Sequence, residues 1–346
     1  MQRTEIATLG KVALVHRLYK LLPERLQPTT LHAQGDDAAV LATSSDERLL
    51  LSNTLMLEGI HFDLTYTPLK HLGYKAITAL CSEIYAMNGW PTQITLSLGL
   101  SARFSVEDVE ELLEGAIVAC QRNRADLVKI DVTSSLTGLS LALSGVGRAQ
   151  EEAIAYRSGA RPTDLICLTG DLGAAYMGLQ LLEREKRVFA GEEVEAYDPD
   201  FAGHEYILER QLRPQSRGEL IHRLAEAGLR PSAMIDVVDG LSSALLHLAH
   251  DSGVGIRIYE DRLPIDFETA RMAEEFNLNV STVALSGGED YELLFTLPLG
   301  MLDEARSIDG LRIIGHVTEA SLGSCLVTRD GGEIELRAQD WHRSDA

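Results

Sequence analysis

The apolar positions of this chain change period several times, and each change predicts a new element. Residues 10–22 (GKVALVHRLYKLL) carry apolar side chains at helical spacing. Short runs of β type follow at 38–42 (AAVLA), 48–52 (RLLLS) and 92–100 (TQITLSLGL). Between them, residues 72–88 (LGYKAITALCSEIYAMN) predict a long buried helix. Residues 105–123 (SVEDVEELLEGAIVACQRN) predict an amphipathic helix with Ser105 as its N-cap and acidic residues in its first turn. The runs DLVKIDV and LSLALSGVGRA then predict strands. Helices and strands alternate irregularly, which predicts an α+β arrangement rather than a strictly parallel sheet.

A second unit opens at Tyr156, punctuated by Pro162 and neighbouring glycines, so the expected domains are 1–155 and 156–346. LICLTG predicts a buried strand, and GDLGAAYMGLQLLERE a helix entered through a glycine turn. The acidic, turn-rich stretch 189–204 predicts an exposed loop. Near the end, Asp330-Gly331-Gly332 predicts a hairpin turn.

Composition narrows the classes. The chain has 346 residues, 45% of them apolar, which suffices for a full core. Its formal charge of −21 argues against nucleic acid as a partner. Nucleotide binding stays open, because Mg²⁺ bridges acidic side chains to phosphates. Cys81, Cys120, Cys167 and Cys325 are far apart with no CxxC pair, so buried free thiols are expected. The opening MQRTEIATLG lacks a signal-peptide profile, and no run approaches the roughly 18 apolar residues of a membrane span. The expected setting is cytoplasmic, with no membrane partner.

Acids recur at predicted strand ends and tight turns: GDDAA at 35–39, Glu83, Asp131, IDVVDGLSS at 235–243 and SGGEDYELLF at 286–295. Hard cations take oxygen ligands, and a bound nucleotide adds its own phosphate oxygens. Each acid also has a plain reading. Asp36 and Asp37 suit a turn, Glu83 a helix surface, Asp236 and Asp239 a helix cap near Gly240, and Ser286–Glu289 another turn.

Taken together, GDDAAVL, LEGIHFDLTYTPLKHLGYKA, IYAMNGWP, RQLRPQSR, DGLSS and SGGEDYELLF resemble the thiamine-monophosphate kinase family. That family belongs to the aminoimidazole ribonucleotide synthetase-like ATP enzymes, and the resemblance runs along nearly the whole chain. It implies a two-domain α/β fold, dimeric through its N-terminal half. It also implies transfer of the γ-phosphoryl of ATP to thiamine monophosphate, with several Mg²⁺ ions. The implied metal ligands are Asp37, the segment Ser52, Asn53 and Thr54, then Glu83, Asp131, Asp236 and Asp239. The implied ATP contacts are Ile130, Asp131, Arg157 and Val238. The implied substrate contacts are His61, Glu289 and an aromatic near the C-terminus, for which Trp341 is the candidate. No residue is singled out as a catalytic acid or base. Relatives that make selenophosphate or mature hydrogenases fit less well: no early Cys and Lys lie in a glycine-rich loop, and the chain ends HRSDA.

Five positions in four segments depart from the family pattern. Thr54 stands where the family has an aspartate, Glu83 replaces an aspartate, Lys129-Ile130 replace two glycines of a phosphate loop, and Val238 replaces a serine. Ile130 brings a β-branched side chain where backbone should approach phosphate. Lys129 offers a cation to a phosphate, or is simply a solvated lysine. Two expectations follow: an ATP-dependent kinase with an altered metal site, or a relative that binds nucleotide or thiamine phosphate, or acts as a dimeric scaffold, without turnover.

Overall fold

The computed structural model describes residues 30–32, 36, 38–43, 46–191 and 201–339. The helix expected at 10–22, Asp37 and Trp341 lie outside the described residues. The fold is a two-domain mixed α/β arrangement. The first sheet contains β1 (Thr30–His32), β2 (Ala39–Ala42), β3 (Glu47–Leu57), β4 (Trp90–Leu100), β5 (Asp126–Ser134) and β6 (Ser140–Gln150). Their spatial order is β1-β2-β3-β6-β4-β5, and only the β4–β5 pair is parallel. The second contains β7 (Leu165–Thr169), β8 (Ala233–Val237), β9 (Gly255–Tyr259), β10 (Glu292–Leu297), β11 (Leu311–Thr318), β12 (Ser324–Val327) and β13 (Glu333–Glu335). Its order is β13-β12-β9-β11-β7-β10-β8, with only β12–β9 parallel.

Helices α1 (Leu69–Tyr85) and α2 (Val106–Arg122) belong to the first unit. Around the second sheet lie α3 (Ala174–Gly191), α4 (Glu205–Leu212), α5 (Gly218–Glu226) and α6 (Leu241–Ser252). Three shorter helices complete it: α7 (Phe267–Glu275), α8 (Val280–Ser286) and α9 (Leu302–Ser307). Helix α1 packs on β3, β4 and β6 on one side and reaches β8, α4 and α5 on the other. One continuous core therefore runs from Leu96 and Leu141 through Leu72, Ile77 and Leu80 of α1 to Cys167, Met234 and Phe295. A helix buried on all sides reads as apolar all round, which is the pattern of 72–88.

The crossing of α1 and α2 is close because a glycine on each helix meets the backbone of the other. A Cβ at Gly73 would stand 1.9 Å from the carbonyl oxygen of Leu112, and one at Gly115 would stand 1.7 Å from that of Lys70. Helix α1 starts just after Pro68, whose extended backbone makes it the N-cap, and ends before Asn88, which is left-handed at φ 55°. The element thus sits three residues earlier than its apolar run suggests. Helix α2 has the expected cap in reciprocal form: Ser105 Oγ accepts the Asp108 N–H, and Asp108 accepts the Ser105 N–H.

Other boundaries moved for physical reasons. Strand β3 continues to Leu57, well past residue 52, because its outward positions Leu55 and Leu57 are themselves apolar and mask the alternation. Helix α3 continues to Gly191, past the start of the loop expected at 189, because the charged stretch 183–187 consists of good helix formers. The turn at Asp330–Gly331 joins β12 to β13 as expected. All four cysteines are buried and free.

The glycine contact sets a stability prediction. Gly115→Ala should force α1 and α2 apart and cost about 1–3 kcal/mol, read as a lower urea midpoint with an unchanged slope.

Candidate active site

Strand β3 runs alongside α1, and its pleat sorts the candidate residues by face. Ser52 is buried, Thr54 is half-buried, and Asn53 between them is exposed. On the α1 side, the Thr54 hydroxyl donates to Glu83 Oε1 at 3.0 Å. Ser52 Oγ is buried there without a hydrogen-bond partner, as is Ser82 Oγ on α1. The opposite face is set by register. Asn53 lies across from Ser144, which lies across from Thr95, which lies across from Lys129. Asp131 pairs with Ser97 and shares that outer face. Within one chain, then, Thr54 and Glu83 meet, while the side chains of Asn53 and Asp131 emerge on the other side of the sheet. Asp131 is exposed and has no hydrogen-bond or ion-pair partner among the described residues.

The second domain supplies two loops zipped to each other. The Glu289 N–H donates to the Val238 carbonyl at 2.7 Å, and the Tyr291 N–H to the Val237 carbonyl at 3.0 Å. Gly288 allows this approach, because a Cβ there would lie 2.5 Å from the Val238 oxygen. Glu289 and Tyr291 themselves are left-handed, at φ 57° and 52°, a costly backbone state for non-glycine residues that clusters at functional sites. The N-cap of α6 is Gly240, without a side-chain cap bond, rather than either aspartate. Tyr291 is buried within the field of Glu289, Asp236, Glu83 and Asp239. Burial first, and then these carboxylates, push its hydroxyl well above the ordinary value. No three His, Cys, Asp or Glu side chains among the described residues form a chelating cluster by themselves. Mg²⁺ needs fewer, since it keeps waters and takes substrate phosphates.

Asp36 ties the first sheet to the start of the second unit. Its Oδ1 accepts the Arg157 N–H at 2.6 Å, and its Oδ2 lies 2.6 Å from His32 Nε2. The Arg157 carbonyl in turn accepts from Ser252 of α6 at 3.1 Å.

Next to Glu289 lies a cavity of about 440 Å³ between the two domains. His61 and Glu289 both line it, together with Lys75, Tyr66, Asp63, Glu183, Lys186 and Gln211. Lys75 is only 3% exposed, and its Nζ is 2.8 Å from Glu289 Oε2. The Leu57 N–H donates to His61 Nδ1 at 3.1 Å, which leaves the ring proton on Nε2.

Comparison with known proteins fits this geometry. Residues 35–149 match the AIR synthase related protein N-terminal domain. The thiamine-monophosphate kinase of Aquifex aeolicus is 33% identical over 84% of this chain and 86% of its own length. That of Escherichia coli strain K12 is 31% identical over 97% of this chain and 98% of its own. The chain belongs to the thiamine-monophosphate kinase family. Among solved structures, AaThiL complexed with AMPPCP and TMP superposes with TM-score 0.82 at 29% identity, covering 99% of this chain and 100% of that one. The hydrogenase maturation protein HypE in complex with ATP shares the fold alone, at TM-score 0.68 and 17% identity.

Several pocket residues of this family member escaped the sequence reading. Lys75 carried a signal: it is the one lysine inside the apolar run 72–88. Asp63, Tyr66, Glu183 and Lys186 carried none, because the fold alone gathers them. Farther along the chain, Glu292 is fully buried between Arg210 and Arg217 and accepts from Thr169 at 2.5 Å. Asp290 takes the Gly173 N–H on both oxygens at 3.1 Å and so fixes the loop that carries Glu289.

Burial pushes the Asp290 carboxyl up to about 7, although Arg210 and the Gly173 N–H pull it down. The folded protein therefore holds a proton there that the unfolded chain loses near its ordinary value of 3.8. This contribution to stability falls as pH rises from about 4 to 7 and is flat above. Asp290→Asn should flatten that fall, by at most about 3 kcal/mol, in urea midpoints compared between pH 5 and 8.

Proposed function

We propose that this protein transfers the γ-phosphoryl group of ATP to the phosphate of thiamine monophosphate, giving thiamine diphosphate and ADP. The observation that carries the reading is the cavity lined by His61 and Glu289, with Glu289 sharing the field around buried Tyr291 with Glu83, Asp236 and Asp239. Family membership and the AaThiL complex with AMPPCP and TMP support the same pairing of a nucleotide with a thiamine phosphate. A phosphate oxygen of thiamine monophosphate attacks the γ-phosphorus, and the bond from that phosphorus to the bridging β,γ-oxygen breaks. The acceptor is already anionic near neutral pH, so no general base is required. Positioning and charge neutralisation supply the acceleration.

The donor set suits Mg²⁺. Glu83, Asp236 and Asp239 offer hard oxygens, and the orphaned Ser52 Oγ faces the same side of the sheet. Bound there, Mg²⁺ would neutralise phosphate charge as the phosphoryl group moves. The Thr54 hydroxyl steadies the longer arm of Glu83 by its hydrogen bond. Arg157, its backbone pinned by Asp36 and Ser252, is the candidate for holding nucleotide phosphate from the second domain. Incubation with ATP, Mg²⁺ and thiamine monophosphate should produce thiamine diphosphate. Asp236→Ala should lower kcat by at least about 100-fold while thermal unfolding stays cooperative. Absence of product from the unsubstituted protein would refute the reading.

The functional unit in this proposal is a dimer in the cytoplasm. Strand β5 is an open sheet edge with Val128, Ile130 and Val132 exposed, and β3 exposes Leu51, Leu55 and Leu57. Exposed apolar strands of this kind favour pairing across a two-fold axis. Sedimentation at micromolar concentration should give twice the monomer mass, and Val132→Asp should return it to the monomer.

A further inference from the structure

The charges that line the cavity do not cancel. Asp63 Oδ2 is 2.5 Å from Lys186 Nζ, and Glu289 Oε2 is 2.8 Å from Lys75 Nζ. Each of these carboxylates thus has its own ammonium group. Glu183 differs, since its Oε1 accepts a hydrogen bond from the neutral Tyr66 hydroxyl at 2.8 Å. Lys186 feels the field of Glu183 but spends its hydrogen bond on Asp63. Three carboxylates against two ammonium groups leave the pocket one negative charge in excess, and that charge rests on Glu183.

The walls around Glu183 are aromatic. On α3, Tyr176, Leu179, Glu183 and Lys186 follow helical spacing and line the cavity from one side. Tyr66 faces them from the segment after β3, and its ring already has the Lys186 ammonium 5.9 Å from its centroid. Aromatic faces attract cations, more strongly where water is excluded. Burial first, and then the Glu183 carboxylate, push the Tyr66 hydroxyl far above its ordinary value, so the phenol stays a donor and the negative charge stays on Glu183.

Resting on the proposed function, we infer that Glu183, with the rings of Tyr66 and Tyr176, forms the subsite that selects the positively charged ring of the acceptor. The thiazolium of thiamine monophosphate carries one positive charge, which the unmatched Glu183 balances. Glu289, neutralised by Lys75, acts instead as a hydrogen-bond acceptor held in place. Glu183 is thereby a specificity-determining residue for the cationic ring, distinct from the groups that handle phosphate.

The test compares thiamine monophosphate with an analogue whose thiazolium is replaced by an uncharged thiophene. Calorimetry on the unsubstituted protein should show about 10-fold tighter binding of the cationic compound. Glu183→Gln should raise KM for thiamine monophosphate about 10-fold, leave kcat within about 3-fold and KM for ATP unchanged, and abolish the preference over the neutral analogue. Tyr66→Phe keeps the charge on Glu183 and should keep the preference. Equal binding of the two compounds to the unsubstituted protein overturns the inference, whether or not any variant folds. So does a Glu183→Gln enzyme that still prefers the cation. Failure to make thiamine diphosphate would instead sink the proposed reaction, and the binding comparison would still decide the role of Glu183.

Discussion

Helix α1 is buried on every side, and the rest of the molecule is arranged to make that possible. One flank lies on the first sheet and the other on elements of the second domain. Apolar residues gain from such burial, but each polar group on the helix must find a partner or lose its hydration. Lys75 finds Glu289, 214 residues away in sequence, and Glu83 finds Thr54 on the neighbouring strand. The two domains are joined by the same contacts that bring the candidate site together.

That constraint explains why the strained loop 287–291 is worth its cost. Glu289 and Tyr291 occupy left-handed backbone states, held by Asp290 on Gly173 and by backbone bonds to residues 237 and 238. Rigid support of this kind keeps a side chain within the tolerance phosphoryl transfer requires. The buried ionic layer beneath it, with Glu292 between two arginines, is fully paired on its carboxylate. A buried ion pair is weak evidence for stability, and its better-supported effect here is to fix where the loop sits.

Four of the five departures from the family pattern fall into two physical groups. Thr54 and Glu83 have adjusted to one another through a hydrogen bond on the inner face. Lys129 and Ile130 lie on the exposed edge strand, away from that pair and without partners among the described residues. A change on the inner face alters ion coordination within the chain. A change on the edge bears on whatever approaches that edge from outside.

Local pattern determined most of the elements. Periodicity marked α1, α2 and the strands, the Ser105–Asp108 cap was written in adjacent residues, and the turn at Asp330–Gly331 needed only its own chemistry. The order of short motifs also determined the family, because GDDAAVL, EGIHFD and GGEDYEL follow one another in one chain. What tertiary structure alone decided is which charges meet. Whether Glu289 is neutralised by Lys75, or Glu183 left facing a phenol, depends on side chains from separate elements packed across a domain boundary. Electrostatic pairing acts over a few ångströms in space and is indifferent to distance along the chain. For that reason the positions of the acids could be read in the sequence, and their partners could not.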